Sequence, residues 1–156
     1  MAKILKIITN PNPLLRKKSK EVAVQELSSM DFKRFCSSLA NTMVKKDGVG
    51  LAAPQVGKNI RVFAINTKDG PEIVINPKII KKSLSKDWSE EGCLSVPNYF
   101  GEVKRHKRIV CEYVNKEGVR QKVDANGLMA IVMQHENDHL DGILFIDKAK
   151  NIQKMD

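Results

Sequence analysis

Residues 135–139, with the sequence HENDH, combine residue types that can hold a metal ion and move a proton. In a helix, His135 and His139 would lie one turn apart on the same face, with Glu136 beside the first of them. Two neutral imidazoles at this spacing can point their nitrogens at one ion, while the neighbouring carboxylate can act as a general base. A single buried histidine is usually a hydrogen-bonded core residue, but the joint pattern favours a metal site.

The apolar residues ahead of this segment predict the helix that carries it. Leu128, Ile131 and Val132 recur at helical spacing, and the same stripe continues onto the two histidines. We therefore predict that both histidines face inward.

The third ligand must come from upstream of that helix. A catalytic site of the zinc type needs three protein ligands and one open position. The position ten residues after the first histidine is Phe145, and no glutamate follows Glu136. The third ligands of the familiar HExxH proteases are therefore absent.

Cys93 is the upstream candidate that the residue types favour. It lies in SEEGCLSVP, which is punctuated by glycine and proline and which we predict to be an irregular loop rather than a core strand. A thiolate on such a loop can reach the histidine pair, although a buried structural cysteine stays an alternative. His106 is less favoured, because the positive charges of Arg105 and Lys107 flank it.

The segment DGVGLAAPQVG, residues 47–57, is the other unusual stretch. Its glycines permit close backbone approach, and Gln55 is the one uncharged side-chain donor in an otherwise mostly apolar run. An amide aimed into a site can stabilise an oxyanion, but a tight structural loop explains the pattern at least as well.

Composition fits one globular unit. The chain has 156 residues, a formal net charge of +9 and three widely spaced cysteines. We predict a single catalytic domain over residues 1–156 of a cytoplasmic protein, without a membrane segment or a disulfide framework. The charge favours an acidic partner such as RNA, but the lysines are scattered and no specific DNA site is indicated; a generally basic surface is the simpler explanation.

The order of predicted elements indicates an α+β fold. Ser29 is a candidate N-cap for a first helix, and the helix with the two histidines follows several strands. The strand-like runs are IRVFAIN, EIVINPKII, KRIVCEYVN and GVRQKVDAN, and ILFIDKAK is predicted as a short closing strand. The predicted class is α+β, with mostly antiparallel strands around a central metal-binding helix and one N-terminal helix.

Three motifs together resemble the peptide deformylase family. They are GVGLAAPQ, EGCLS and QHENDHLDG, in that order and at family-like separations, and the likeness extends over nearly the whole chain. The resemblance implies a metal-dependent hydrolase that removes the formyl group from N-formylmethionine of nascent polypeptides and releases formate. That activity is a step of protein biosynthesis, namely N-terminal methionine processing.

The resemblance also implies the chemistry of particular residues. Cys93, His135 and His139 would bind the metal, with Glu136 as the general acid/base. The ion implied is one divalent metal ion, with Fe(II) expected and Zn, Ni or Co as alternatives, because the ligand types alone do not choose among them.

Further residues are implied in binding the substrate, an N-formylmethionyl nascent peptide. Gln55 and the backbone N–H of Leu94 would hold the oxyanion. Seven others would border the peptide cleft or line the methionine pocket: Gly48, Val49, Gly50 and Glu91 for the cleft, and Leu128, Ile131 and Val132 for the pocket. Some members carry an arginine that contacts the substrate backbone where this chain has Phe100, so that contact is an open question for this chain. Contact with the ribosome stays open.

Two other classes of protein compete with this interpretation. A basic RNA- or ribosome-binding module with a structural metal site would account for the charge and the ligands, but not for Glu136 beside His135 or for Gln55 in its small-residue loop. A metalloprotease would share the HExxH pattern, but this chain lacks the third ligand that the familiar HExxH proteases use.

Overall fold

A computed structural model describes residues 2–155, which form two α-helices and eight β-strands in two sheets. The helices are α1 (Met30–Lys45) and α2 (Gly127–Leu140). In chain order the strands are β1 (Gly50–Ala52), β2 (Val62–Thr67), β3 (Gly70–Lys82), β4 (Lys86–Cys93), β5 (Val96–His106), β6 (Arg108–Val114), β7 (Arg120–Asn126) and β8 (Lys150–Lys154). Two short 3-10 helices precede α1, and two more lie between later elements. The predicted α+β class is confirmed.

The strands pair antiparallel in two separate sheets. The larger sheet has the order β1-β2-β3-β6-β7, and the smaller has the order β4-β5-β8. Strands β6 and β7, both among the predicted strand-like runs, form a hairpin with a turn at residues 115–118. No helix of the described residues is long and apolar enough to cross a membrane.

Helix α1 begins where the sequence predicted. The Ser29 hydroxyl accepts a hydrogen bond of 3.1 Å from the N–H of Phe32, which satisfies one of the free donors of the first turn. The apolar face of α1 then packs on one side of the larger sheet, around Leu39 and Met43. Each fully buried side chain of this kind contributes roughly 1.5–3 kcal/mol to folding.

Helix α2 covers the opposite face of the same sheet. Successive residues of a strand point to opposite faces, so Val62 and Ala64 of β2 pack with α1 while Phe63 and Ile65 pack with α2. Helix α2 also contacts β5 of the smaller sheet. It is therefore the central helix that was expected, and both sheets can supply residues to its surface.

Two local predictions were wrong. Residues 89–97 are not an irregular loop, because β4 runs to Cys93 and the register shifts only between Gly92 and Cys93. The glycine marks a bulge rather than the end of pairing. The proposed closing strand is instead a 3-10 helix, Phe145–Asp147, in which the Asp147 carboxylate accepts from the Leu144 N–H at 3.0 Å; the strand begins later, at Lys150.

Candidate metal centre

The end of β4 and one face of α2 bring three metal-ligating side chains together. The ligand atoms of Cys93, His135 and His139 all lie within 4.8 Å of one another. Cys93 Sγ and His139 Nε2 are 3.3 Å apart. Within residues 2–155, no fourth cysteine, histidine or carboxylate joins this group. The cluster thus has three protein donors, the number typical of catalytic rather than closed structural sites.

The orientation of His135 is fixed by a carboxylate behind it. His135 Nδ1 donates to Glu91 Oε1 at 2.8 Å, which leaves Nε2 free for the cluster. Arg105 donates to both oxygens of Glu91, at 2.8 and 2.9 Å, and to Asp138 at 2.6 Å. Burial opposes ionisation of Glu91, but the hydrogen bonds from Arg105 and His135 lower its pKa to about 2. The group behind the ligand is therefore a carboxylate at neutral pH.

The two imidazoles have different protonation tendencies. Burial, and then the positive charges of His135 and Arg105, hold the pKa of His139 well below its usual value, so this ring is neutral as metal binding requires. Burial lowers the pKa of His135 as well, but hydrogen bonds with Cys93 and Glu91 outweigh that effect and raise it to about 10. A cation at these donors competes with the His135 proton.

The donors of this cluster fit one divalent metal ion. A thiol and two imidazoles are ligands that borderline-soft divalent metals prefer, and the cluster presents Cys93 Sγ and His139 Nε2 only 3.3 Å apart. The predicted binding of a single metal ion therefore agrees with the residues that the structure places here.

Glu136 lies beside the cluster with one carboxylate oxygen unsatisfied. The side chain is almost fully buried, Oε1 has no partner within residues 2–155, and Oε2 is 3.9 Å from His135 Nε2. Burial raises the pKa of Glu136 to about 7, although the charge of His135 works in the opposite direction. A carboxyl with a pKa near neutrality can both accept and return a proton.

The glycine of β1 makes room for this carboxylate. A Cβ on Gly50 would lie 2.6–2.9 Å from the Glu136 side-chain atoms, closer than real Cβ contacts come. Glycine is thus required at this position by the approach of Glu136 rather than by a turn.

Gln55 lies in the 3-10 helix Ala53–Val56, which follows β1 directly. Its Oε1 accepts from the Ala52 N–H at 2.9 Å, and its Nε2 donates to Ser95 Oγ at 3.1 Å and lies 3.5 Å from Cys93 Sγ. The amide is held with its donor end towards the cluster. The two sequence-based interpretations, a structural loop and a donor in the site, are therefore compatible.

A cleft of about 510 Å³ opens over these residues. Twelve of the thirteen residues that the sequence singled out for the site line it, and His139 lies beneath. The lining residues are Gly48, Val49, Gly50, Gln55, Glu91, Cys93, Leu94, Leu128, Ile131, Val132, His135 and Glu136. Phe100 lines the same cleft.

Sequence reasoning missed the role of Arg105. It was considered only as a positive charge beside His106, yet its side chain is 3 % exposed and points away from that histidine into the carboxylates of Glu91 and Asp138. The alternation of β5 carries the signal, since Val103 and Arg105 are buried while Glu102 and Lys104 are exposed. His106 itself bonds through Nδ1 to the Ser83 carbonyl, outside the cluster.

Comparison with known proteins gives one consistent result. A family model described as polypeptide deformylase matches residues 4–155. A peptide deformylase of Rhizobium meliloti is 41 % identical over 153 residues, which cover 95 % of this chain and 86 % of the relative. The crystal structure of peptide deformylase from Thermotoga maritima superposes with a TM-score of 0.90 at 40 % identity, covering 95 % of this chain and 99 % of that one.

A further solved structure contains a peptide. The Met-Ala-Ser-bound class I type b peptide deformylase from Acinetobacter baumannii has a TM-score of 0.90 at 31 % identity, covering 95 % of this chain and 99 % of that one.

The fold, the three clustered ligand side chains and the neighbouring carboxylate together define a metal-dependent hydrolase. The chain belongs to the peptide deformylase family. The enzymes of this family remove the formyl group from nascent peptides, so the predicted family and enzyme class are confirmed.

Proposed function

We propose that the protein hydrolyses the formyl amide of N-formylmethionyl peptides in this cleft, with Glu136 moving the protons beside a cation held by Cys93, His135 and His139. The observation that carries the proposal is the buried Glu136 carboxylate, which lines the cleft and has an oxygen without a hydrogen-bond partner in the described part of the chain. The Met-Ala-Ser peptide bound by the Acinetobacter relative supports a peptide as the occupant.

Glu136 has the position and the pKa for both proton transfers of the reaction. A divalent cation at the cluster would act as a Lewis acid and lower the pKa of water from about 15.7 towards about 7. With a pKa of about 7, Glu136 can accept the proton of the attacking water and return it to the departing amine of methionine. One residue thus serves as base and then as acid.

Two uncharged donors would stabilise the negative charge that develops on the formyl oxygen. Gln55 Nε2 is held near Cys93 Sγ, and Leu94, whose backbone N–H is the second proposed donor, follows that cysteine directly. Such donors act in a site with little water, where each contributes several kcal/mol to the transition state.

The apolar side chains of α2 ahead of the ligands would bind the methionine side chain. Leu128, Ile131 and Val132 line the same cleft as Glu136. Burying a methionine side chain there would contribute about 1.5–3 kcal/mol to binding. Gly48, Val49, Gly50 and Glu91 would border the rest of the bound peptide.

The decisive experiment measures formate release from formyl-Met-Ala-Ser by metal-loaded protein. We expect Glu136→Ala to keep its bound metal and to lose formate release, because the proton carrier is gone while the three ligands remain. Glu117→Ala, an exposed glutamate in the β6–β7 turn, is the matched control and should behave as wild type. Near-normal formate release by Glu136→Ala would contradict the assignment.

The metal itself is a separate proposal. We propose Fe(II), with Zn, Ni or Co able to replace it at the same donors. An iron-loaded sample should lose activity in air as the iron and the Cys93 sulfur oxidise, whereas a nickel-loaded sample should last longer. Full activity of the iron form after prolonged exposure to air would argue against Fe(II).

Three proposals concern the setting of the enzyme. We propose that residues 1–156 form a single catalytic domain, that the protein works in the cytoplasm, and that its basic surface contacts the ribosome. The net charge of +9 supports the last, because binding of phosphate-rich RNA releases counterions. Cosedimentation with ribosomes should occur at low salt and weaken steeply as salt is added; equal binding at all salt concentrations would count against it.

A further inference from the structure

Ser95 is a buried hydroxyl group behind the proposed oxyanion donor. It lies two residues after Cys93 in the connection between β4 and β5, and its side chain is not exposed to solvent. Its Oγ accepts a hydrogen bond of 3.1 Å from Nε2 of Gln55. The amide that would hold the formyl oxygen therefore contacts a residue to which the reaction so far assigns no part.

The Gln55 amide is held at both of its ends. The terminal torsion of a glutamine side chain is broad, so the amide plane can rotate unless its ends are fixed. Oε1 accepts from the Ala52 N–H at 2.9 Å, and because an NH₂ group cannot accept this bond, the oxygen end is determined. Ser95 fixes the nitrogen end. The second N–H of Nε2 is then left for the site, where Nε2 lies 3.5 Å from Cys93 Sγ.

The backbones of Gln55 and Ser95 are held by one stretch of the N-terminal arm. The Ile8 N–H donates to the Gln55 carbonyl at 2.8 Å, and the Asn10 N–H donates to the Ser95 carbonyl at 2.8 Å. Gln55 follows β1 of the larger sheet, whereas Ser95 precedes β5 of the smaller sheet. The bond between their side chains thus joins the two sides of the site, and the backbone is anchored on both sides of it.

We infer that Ser95 is a positioning residue, which holds the Gln55 amide in the direction that the developing oxyanion requires. Ser95 is buried and does not line the cleft, so it acts through Gln55 rather than on the substrate. A donor that is already oriented stabilises the transition state without a reorganisation during the reaction. This inference rests on the proposed function, because it concerns the donor that the function uses.

The kinetic test is a double-mutant cycle, with formate release from formyl-Met-Ala-Ser by metal-loaded protein. We expect Ser95→Ala to lower kcat about tenfold and to leave KM within about twofold, because a misaligned donor weakens the transition state more than the bound substrate. In a Gln55→Ala background the same change should alter kcat less than about twofold, since the amide is absent. Equal factors in both backgrounds would indicate a purely structural role and would overturn the inference.

Ser38→Ala is the matched control. Ser38 lies in α1, is 4 % exposed, and its Oγ accepts from the Lys3 N–H at 3.0 Å, so the variant also removes an acceptor from a buried serine. Ser38 does not line the cleft, and kcat of the variant should stay within about twofold of wild type. A loss as large as that of Ser95→Ala would overturn the inference, because any buried hydroxyl would then have this effect.

A second measurement needs no turnover. In zinc-loaded, isotope-labelled protein, the Gln55 side-chain amide gives the pair of nuclear magnetic resonance signals that Gln55→Ala lacks. Its protons should exchange with solvent several-fold faster in Ser95→Ala, because the nitrogen end is released. The buried Gln134 amide, which donates to the carbonyls of His106 and Ala130 at 2.9 Å, is the internal control and should not change.

The two measurements separate this inference from the proposed function. Absence of formate from wild type would overturn the proposed function, while faster exchange in Ser95→Ala would still support Ser95 as the residue that holds the amide. Normal formate release by wild type with unchanged exchange of the Gln55 amide in Ser95→Ala would overturn the inference alone.

Discussion

Arg105 joins the catalytic helix to the smaller sheet through buried charge. Its guanidinium contacts Glu91 of β4 and Asp138 of α2, and Lys148 also reaches Asp138, at 3.0 Å. Both carboxylates are buried, and removing a charge from water is unfavourable. Each therefore depends on its positively charged partners to offset that desolvation penalty. Glu91 holds the ring of His135 through a hydrogen bond. A change at Arg105 is therefore expected to lower the stability of the protein and to disturb the orientation of the ligand His135.

We predict that Arg105→Met lowers the free energy of unfolding by about 3–5 kcal/mol, because it leaves two buried carboxylates without their main partner. Urea unfolding of the metal-loaded protein measures this. Arg108→Met is the matched control, since Arg108 pairs with Asp124 on the exposed surface, where water screens the attraction, and it should change the free energy of unfolding far less than Arg105→Met. Similar losses in both variants would show that the buried network does not have this role.

The same network predicts a stability that depends on pH. The pKa of Glu91 is lowered from 4.5 to about 2 in the folded protein, so its contribution is complete above pH 4.5 and is lost as the pH falls towards 2. The contribution is on the order of 3 kcal/mol. In chelator-treated protein, the free energy of unfolding of wild type should fall more steeply between pH 5 and 3 than that of Glu91→Gln. The same pH dependence of the unfolding free energy in both proteins would contradict the stabilising role of the Glu91 carboxylate.

Gln55→Ala tests the proposed oxyanion donor. Loss of one such donor commonly costs about 3 kcal/mol in the transition state, so turnover should fall roughly a hundredfold while the metal stays bound. The variant also removes the acceptor for the Ala52 N–H, so its thermal stability should be measured beside formate release. A stable, metal-loaded Gln55→Ala enzyme with normal turnover would exclude this role.

At the scale of elements, helix α1 and the strands of the larger sheet could be predicted because their signals are local. A serine N-cap and a repeating apolar face define α1, and runs rich in β-branched apolar residues define β2, β3 and β6. The grouping of Cys93 with His135 and His139 could be predicted because these residue types are unusual for their positions, whereas cleft residues such as Glu91 and Leu94 were implied only by the resemblance to the family. The role of Arg105 and the course of β4 were missed, because the partners of both are set by the pairing of β4 with β5, and the alternation of β5 indicates only that Arg105 faces inward.

Strand β1 is short, but its first residue, Gly50, leaves the space that the Glu136 carboxylate occupies. We predict that Gly50→Ala lowers turnover at least tenfold, because the new methyl group would displace the Glu136 carboxylate. Gly48→Ala provides the comparison, since its Cβ would make only ordinary contacts, the nearest at 3.4 Å, and should have a much smaller effect. Formate release and metal content of both variants measure the difference.

At the scale of the whole molecule, the two sheets share α2, which packs against β1, β2 and β7 as well as β5. Because α2 contacts strands of both sheets, its loss would remove packing from each of them, so we predict that the sheets unfold together. The single tryptophan, Trp88, lies in β4 of the smaller sheet, whereas far-ultraviolet circular dichroism reports on all elements. Coincident urea transitions by the two probes are expected. Separate midpoints would show that residues 1–156 are not one cooperative domain.

Strand β8 forms an outer edge of the smaller sheet, and all five of its residues are exposed. Unprotected edges of this kind invite strand addition by other chains and hence aggregation. Here lysines occupy both ends of the strand, and Asn151 has a positive φ of 54° that interrupts the regular pleat. Charge repulsion and broken geometry together disfavour edge-to-edge association, so this edge of the sheet is a poor template for a strand of another chain.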